Sequence, residues 1–159
     1  MTEDPEQQAR DKALRTAANV LQYRQRSARA LYDRLLEKGL EPELAEYAVE
    51  RLQQLGYLND TEYGRLLVRD LSARGCGAGR IRRELREKKL EPEALEAAME
   101  EYQADPERLR RYIEGKLRGQ APDRRMLKKV SDGLFRRGFS WEEIRTALRS
   151  YADQLEDAE

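Results

Sequence analysis

The chain has 159 residues, 39% of them charged and 39% hydrophobic, and its 31 basic residues balance its 31 acidic ones to a net charge of zero. So large a charged share argues against one deep core and for a repeat array with small serial cores and much surface. The absence of histidine removes the commonest general base and metal ligand, the lone Cys76 excludes an internal disulfide, and no apolar run is long enough to span a bilayer.

The zero hides segregation. Residues 1–11 and 153–159 are mainly acidic, Arg65–Lys89 and Arg108–Arg137 are basic, and Glu91–Glu107 between them is acidic. In chain order, residues 1–12 read as a flexible N-terminal segment, with Met1–Glu6 frayed. Ala13, Leu14, Ala17, Ala18 and Leu21 keep helical spacing. Tyr23–Arg26 breaks that helix, and Ser27 is a suitable N-cap for the next, its hydroxyl accepting from free backbone N–H groups. The second helix turns Leu31, Leu35 and Leu36 inward and ends at Gly39. Pro42 opens the third in its first turn, where the missing N–H is no loss. Leu44, Ala45, Ala48, Val49 and Leu52 form the buried stripe of this third helix, and Gly56 stops it.

Fifty positions on, much of this returns without a gap: Leu35, Glu37, Lys38, Leu40, Glu41, Pro42, Glu43, Glu46, Ala48 and Glu50 fall on Leu85, Glu87, Lys88, Leu90, Glu91, Pro92, Glu93, Glu96, Ala98 and Glu100. A weaker copy places Leu134, Gly138, Phe139, Ala147, Leu148 and Tyr151 at equivalent positions. A period of about fifty residues signals tandem repeats. Repeat two opens at Asn59 or Asp60, with Tyr63, Leu66, Leu67 and Leu71 inward on its first helix. The Gly75–Gly79 stretch reads as a flexible interhelical loop, Ile81 and Leu85 anchor the next helix, and Leu95, Ala98, Met99 and Tyr102 the last. Lys89 stands where repeat one has Gly39, which predicts a strained or differently built junction. Repeat three opens at Asp105-Pro106-Glu107 and buries Leu109, Tyr112, Ile113 and Leu117. Leu127, Val130, Leu134 and Phe135 carry its second helix. Ser140-Trp141-Glu142-Glu143 is a capping box opening the third, which buries Ile144, Ala147, Leu148 and Tyr151.

The pattern is therefore all-α: three tandem three-helix repeats at residues 13–58, 59–104 and 105–152, with an acidic tail at 153–159. No catalytic constellation emerges. Cys76 without histidine is a poor nucleophile and reads as a small buried thiol. Gly75-x-Gly77-x-Gly79 lacks the preceding strand and the lysine of a phosphate-cradling loop. Tyr57 and Tyr63 read as core packing at the repeat junction rather than stacking platforms. No catalytic, cofactor-binding or metal-ligating residue is assigned, and no cofactor is expected. The setting expected from the absence of a signal peptide or spanning segment is cytoplasmic, and the expected state is a monomer without membrane association.

Lys38-Gly39-Leu40, Leu55-Gly56-Tyr57-Leu58-Asn59-Asp60 followed by Tyr63, Arg74-Gly75-x-Gly77 and Ile81-x-x-Glu84-Leu85 together resemble the RecX family of bacterial regulatory proteins, over roughly Ala13–Tyr151. Asn59, where the family more often has aspartate, and Lys89 in place of glycine are the departures. The resemblance implies an elongated, curved array. It also implies a non-enzymatic function: binding the RecA recombinase filament in its helical groove and modulating, most often inhibiting, its ATP hydrolysis, strand exchange and growth in DNA repair. Contacts to several protomers would add by avidity.

The residues expected to meet that partner, or DNA, are Arg74, Arg80, Arg82, Arg83, Arg86 and Lys89 in repeat two, and Arg124, Arg125, Lys128 and Lys129 in repeat three. The bland alternative is a solvated surface paired with the acidic helices of the same array. A nucleic-acid-binding module using the same arginines, with weak single- or double-stranded DNA affinity, is the competing function. An inert helical scaffold is the third reading.

Overall fold

The computed structural model describes residues 4–158. Among them the chain forms nine α-helices and no strand: α1 (Pro5–Tyr23), α2 (Ala28–Glu37), α3 (Pro42–Gln54), α4 (Asp60–Ala73), α5 (Ala78–Glu87), α6 (Pro92–Met99), α7 (Pro106–Leu117), α8 (Arg124–Arg136) and α9 (Trp141–Asp157). The expected three-by-three order is present. The ends differ from the sequence reading. The carboxylate of Asp4 accepts from the Glu6 N–H and Pro5 fills the first turn, so residues 5–12 are the opening turns of α1. Residues 153–157 likewise continue α9. Residues 1–3 of the expected N-terminal segment and residue 159 of the tail lie outside the described residues.

Local chemistry sets the helix starts. Ser27 accepts from the Ala30 N–H, Asp105 from Arg108 and Asp123 from Met126. At α9 the capping box closes: the Ser140 hydroxyl accepts from the Glu143 N–H while the Glu143 carboxylate accepts from the Ser140 N–H. The second helix of each repeat ends the same way. Gly39, Lys89 and Gly138 hold left-handed φ values of 93°, 63° and 101°. The N–H of the residue following each, Leu40, Leu90 and Phe139, reaches back to the carbonyl of Leu35, Leu85 and Leu134. Lys89 thus keeps the shape of the glycine position, and the junction is strained rather than rebuilt.

The helices belong to two compact units. Residues 4–67 and 84–99 form the first, where Ala13, Ala17, Leu31, Leu35, Ala45, Ala48 and Leu52 are the core of α1–α3. In the same unit the Asp60 carboxylate accepts from the Ala28 N–H at 2.8 Å, so the first residue of α4 satisfies a free donor at the start of α2. Residues 68–83 and 100–158 form the second unit, where Leu109, Ile113, Leu117, Val130, Leu134, Ile144, Ala147 and Tyr151 are the core of α7–α9. The Tyr151 hydroxyl there donates to the Gln120 carbonyl at 2.8 Å.

Several expected core residues lie outside. Leu66 is 46% exposed and Val68 fully buried; two residues apart, they lie about 160° apart around a helix, and the buried stripe of α4 follows Gly64 and Val68 instead. A Cβ on Gly64 would sit 2.6 Å from the Ala98 Cβ, so this helix start is packed closer than any side chain permits. In α8 the core takes Met126, Val130 and Leu134, leaving Leu127 and Phe135 exposed. At the repeat junction Leu58 is buried and Tyr57 is 75% exposed, which corrects the expected packing of Tyr57. Tyr63 is half-buried, and burial pushes its hydroxyl pKa up against the opposing pull of Arg24 and Arg26.

Candidate functional site

The second unit carries a joint made of backbone. The Gly77 N–H donates to the Arg137 carbonyl at 2.7 Å and the Gly79 N–H to the Gly138 carbonyl at 3.0 Å. A Cβ on Gly77 would lie 2.7 Å from the Gly138 carbonyl carbon, and one on Gly138 2.4 Å from the Arg80 nitrogen. Main chain meets main chain here, at a distance no side chain allows. The Gly75–Gly79 stretch is therefore a docked segment rather than the flexible loop expected, and Cys76 within it is buried as a free thiol.

The joint places the first turns of α5 against the end of α8 and the start of α9. An open concavity of about 700 Å³ lies between them, with Arg80, Arg83, Phe135 and Arg136 on its walls and Glu143 the carboxylate among its lining residues. The carboxylate of Glu143 is engaged by the Ser140 N–H at 3.0 Å. Arg83 and Arg136 are exposed. Arg80 is half-buried, and its Nε is closed off from solvent with no hydrogen-bond partner among the described residues. Phe135 stacks on Trp141 with ring centroids 4.6 Å apart and planes 11° apart. Both rings stay about half exposed, at 50% and 46%. On the other flank of α8 the Arg137 guanidinium lies 4.6 Å from the Tyr112 ring centre, a contact that holds this residue to the protein.

The ten basic residues expected to form one face in repeat two and another in repeat three divide between the two units. Arg86 and Lys89 lie in the first unit and the other eight in the second. Arg80 and Arg83 share the concavity. Arg74 is paired with Asp70 at 3.2 Å and Lys89 with Asp33 at 2.6 Å. Arg82 is half-buried, and Arg86 is exposed. Arg124, Arg125, Lys128 and Lys129 are all exposed on α8, and at about 100° per residue they follow one another round an arc of about 140° in the order Arg124, Lys128, Arg125, Lys129. Lys129 also lines a second concavity of about 280 Å³ together with Lys116, Tyr112 and Arg136. Arg136, Phe135 and Trp141 are the members that sequence reasoning missed. The available signal was phase. Phe135 is out of register with Val130 and Leu134, and Trp141 precedes the first buried residue of α9 by three positions.

Among the described residues no cluster of histidine, cysteine, aspartate and glutamate is suited to a metal ion, and no helix is long and apolar enough to cross a membrane.

Comparison with known proteins agrees with this architecture repeat by repeat. Residues 9–52 match the first three-helix domain of RecX, 59–99 the second and 103–148 the third. The chain is similar to the regulatory protein RecX of Xanthomonas oryzae pv. oryzae (strain MAFF 311018), 37% identical over 135 residues that cover 84% of each chain. It is also similar to that of Stenotrophomonas maltophilia (strain K279a), 34% identical over 84% of this chain and 83% of the other. The crystal structure of RecX from Lactobacillus salivarius shares the fold with a TM-score of 0.81 at 21% identity, covering 91% of this chain and 97% of that one. A second crystal structure of a regulatory protein RecX superposes with a TM-score of 0.75 at 24% identity, covering 93% and 79%. With all three of its helical repeats matched in order, the chain belongs to the RecX family of regulatory proteins.

Proposed function

We propose that this protein is a non-enzymatic regulator that binds the RecA recombinase nucleoprotein filament in its helical groove and inhibits ATP hydrolysis, strand exchange and filament growth. The observation that carries the reading is the match of all three repeats to the three domains of a family of regulatory proteins. The surface chemistry supports it: exposed Arg83, Arg86, Arg124, Arg125, Lys128 and Lys129 suit acidic protein surface or phosphate. Repeats that each make weak contacts to successive protomers add by avidity. A ligand that favours one filament state shifts the population toward it. The protein acts as a monomer in the cytoplasm, without a cofactor.

The test is DNA-dependent ATP hydrolysis by the recombinase of the same organism on single-stranded DNA, with this protein titrated in. Inhibition below one protein per recombinase protomer is expected, and comparing preformed with growing filaments separates groove binding from end capping. Unchanged hydrolysis at saturating protein, together with no co-sedimentation with filaments, would sink the reading.

A further inference from the structure

We infer that the concavity of the second unit is a binding site for single-stranded nucleic acid. One unstacked base lies on the Phe135–Trp141 stack, and Arg80, Arg83 and Arg136 take the flanking phosphates. This goes beyond the recombinase reading and does not depend on it.

Three observations converge. First, two large aromatic rings stacked at 4.6 Å and left half exposed are an unusual use of apolar surface. Phe135 lines the concavity and Trp141 backs it. A base adds to such a stack through its π-face whatever its identity. Second, charge is one-sided. Three guanidiniums line the walls against the single carboxylate of Glu143, which is held as the acceptor of the Ser140 N–H. Among the described residues neither Arg83 nor Arg136 forms an ion pair. Third, Arg80 is half-buried and lines the concavity, so packing restrains the side chain whose charge faces a bound phosphate. An acidic protein segment would meet the guanidiniums but would leave the aromatic stack without a planar partner. Duplex DNA presents its bases edge-on, already stacked.

The chain contains one tryptophan, so Trp141 reports directly on the platform. The experiment titrates the full-length protein, without recombinase, with a dT oligonucleotide of about fifteen residues. Tryptophan fluorescence and the anisotropy of a labelled strand are followed together. The expected result is quenching that tracks binding and a log–log salt slope of about −2, from roughly 0.7 per neutralised phosphate for three phosphates. F135A should weaken binding roughly 5- to 150-fold, the range for losing one stacked base, whereas F135Y keeps it. R83A should lower the salt slope by close to one phosphate. Phe135 and Arg83 are exposed, so circular dichroism should show both variants folded. Inorganic polyphosphate that binds as tightly and quenches equally would overturn the proposal by reducing the site to charge. So would duplex DNA of the same length binding as well as dT with no effect of F135A. A fluorescence change that requires the recombinase, with none on dT alone, would overturn it in favour of a protein partner on the same platform. Loss of dT binding in F135A with ATPase inhibition intact would leave the two readings separately standing.

Discussion

Lys89 occupies a conformation that L side chains adopt at a cost, and its side chain is tied to Asp33 at 2.6 Å. The left-handed backbone costs about 1–2 kcal/mol, and an exposed ion pair returns about 0.2–1 kcal/mol. K89G should therefore unfold within about 1 kcal/mol of the parent. D33N should destabilise the parent more than the K89G background, where only the Arg29–Asp33 pair at 3.3 Å is left to lose, as a double-mutant cycle by urea denaturation would show. The same pair sets a pH dependence. The hydrogen bond from Lys89, with the charges of Lys89 and Arg29 behind it, holds the Asp33 carboxyl below its usual 3.8. Its stabilising contribution is present above that value and lost as pH falls through the lower folded one, so D33N should flatten the acid limb of the stability curve. Asp60 has the opposite sign. Burial pushes its pKa above 3.8 despite the hydrogen bond from Ala28, so its contribution declines as pH rises from 3.8 through the raised value. D60N, which keeps an acceptor for the Ala28 N–H, should remove that decline; D60A should cost about 1 kcal/mol as a lost cap.

At the level of elements, the left-handed helix ends distinguish local from tertiary roles. Gly39 and Gly138 have nearly the same φ, but a Cβ on Gly39 would meet nothing within 4 Å while one on Gly138 would press on Arg80. G39A should cost about 1–2 kcal/mol, the backbone strain alone. G138A should cost about 2–4 kcal/mol, strain plus overpacking, and should also disturb the concavity whose rim it forms. Thermal unfolding of the two variants side by side reads the difference. The phase of α8 is the other element-scale finding. Arg124, Lys128, Arg125 and Lys129 follow one another round about 140° of exposed helix, with Lys129 at the edge that borders the second concavity. Arg136, not among those expected, lines two concavities.

For the molecule as a whole, net charge is zero, so any attraction to an acidic filament or to nucleic acid comes from where the charges lie rather than from their sum. Reversing two arginines separates these effects. R83E/R136E and R145E/R149E change net charge equally, to −4, and all four side chains are exposed. Inhibition of the recombinase ATPase and oligonucleotide binding should fall at least tenfold in the first variant and change less than twofold in the second. Equal loss in both would mean that overall charge, not the concavity, governs binding.

The amino-acid sequence alone carries the elements and their order. Caps such as Ser27, Asp105 and Ser140 act on N–H groups three residues on, proline acts within the first helical turn, and the fifty-residue recurrence of apolar positions is a property of the sequence itself, so all three are legible along the chain. It also carried the family, through junction segments such as Gly56-Tyr57-Leu58-Asn59-Asp60. It could not decide between Leu66 and Val68, or place Phe135 outside the core, because both choices depend on which face a neighbouring helix covers. Nor could it show that Gly77 and Gly138, sixty-one positions apart, touch through their main chains. Only the tertiary structure brings Arg80 and Arg83 to Arg136 and the Phe135–Trp141 stack, because that meeting is fixed by backbone hydrogen bonds between repeats, and the glycines that permit it do not say which distant segment they meet.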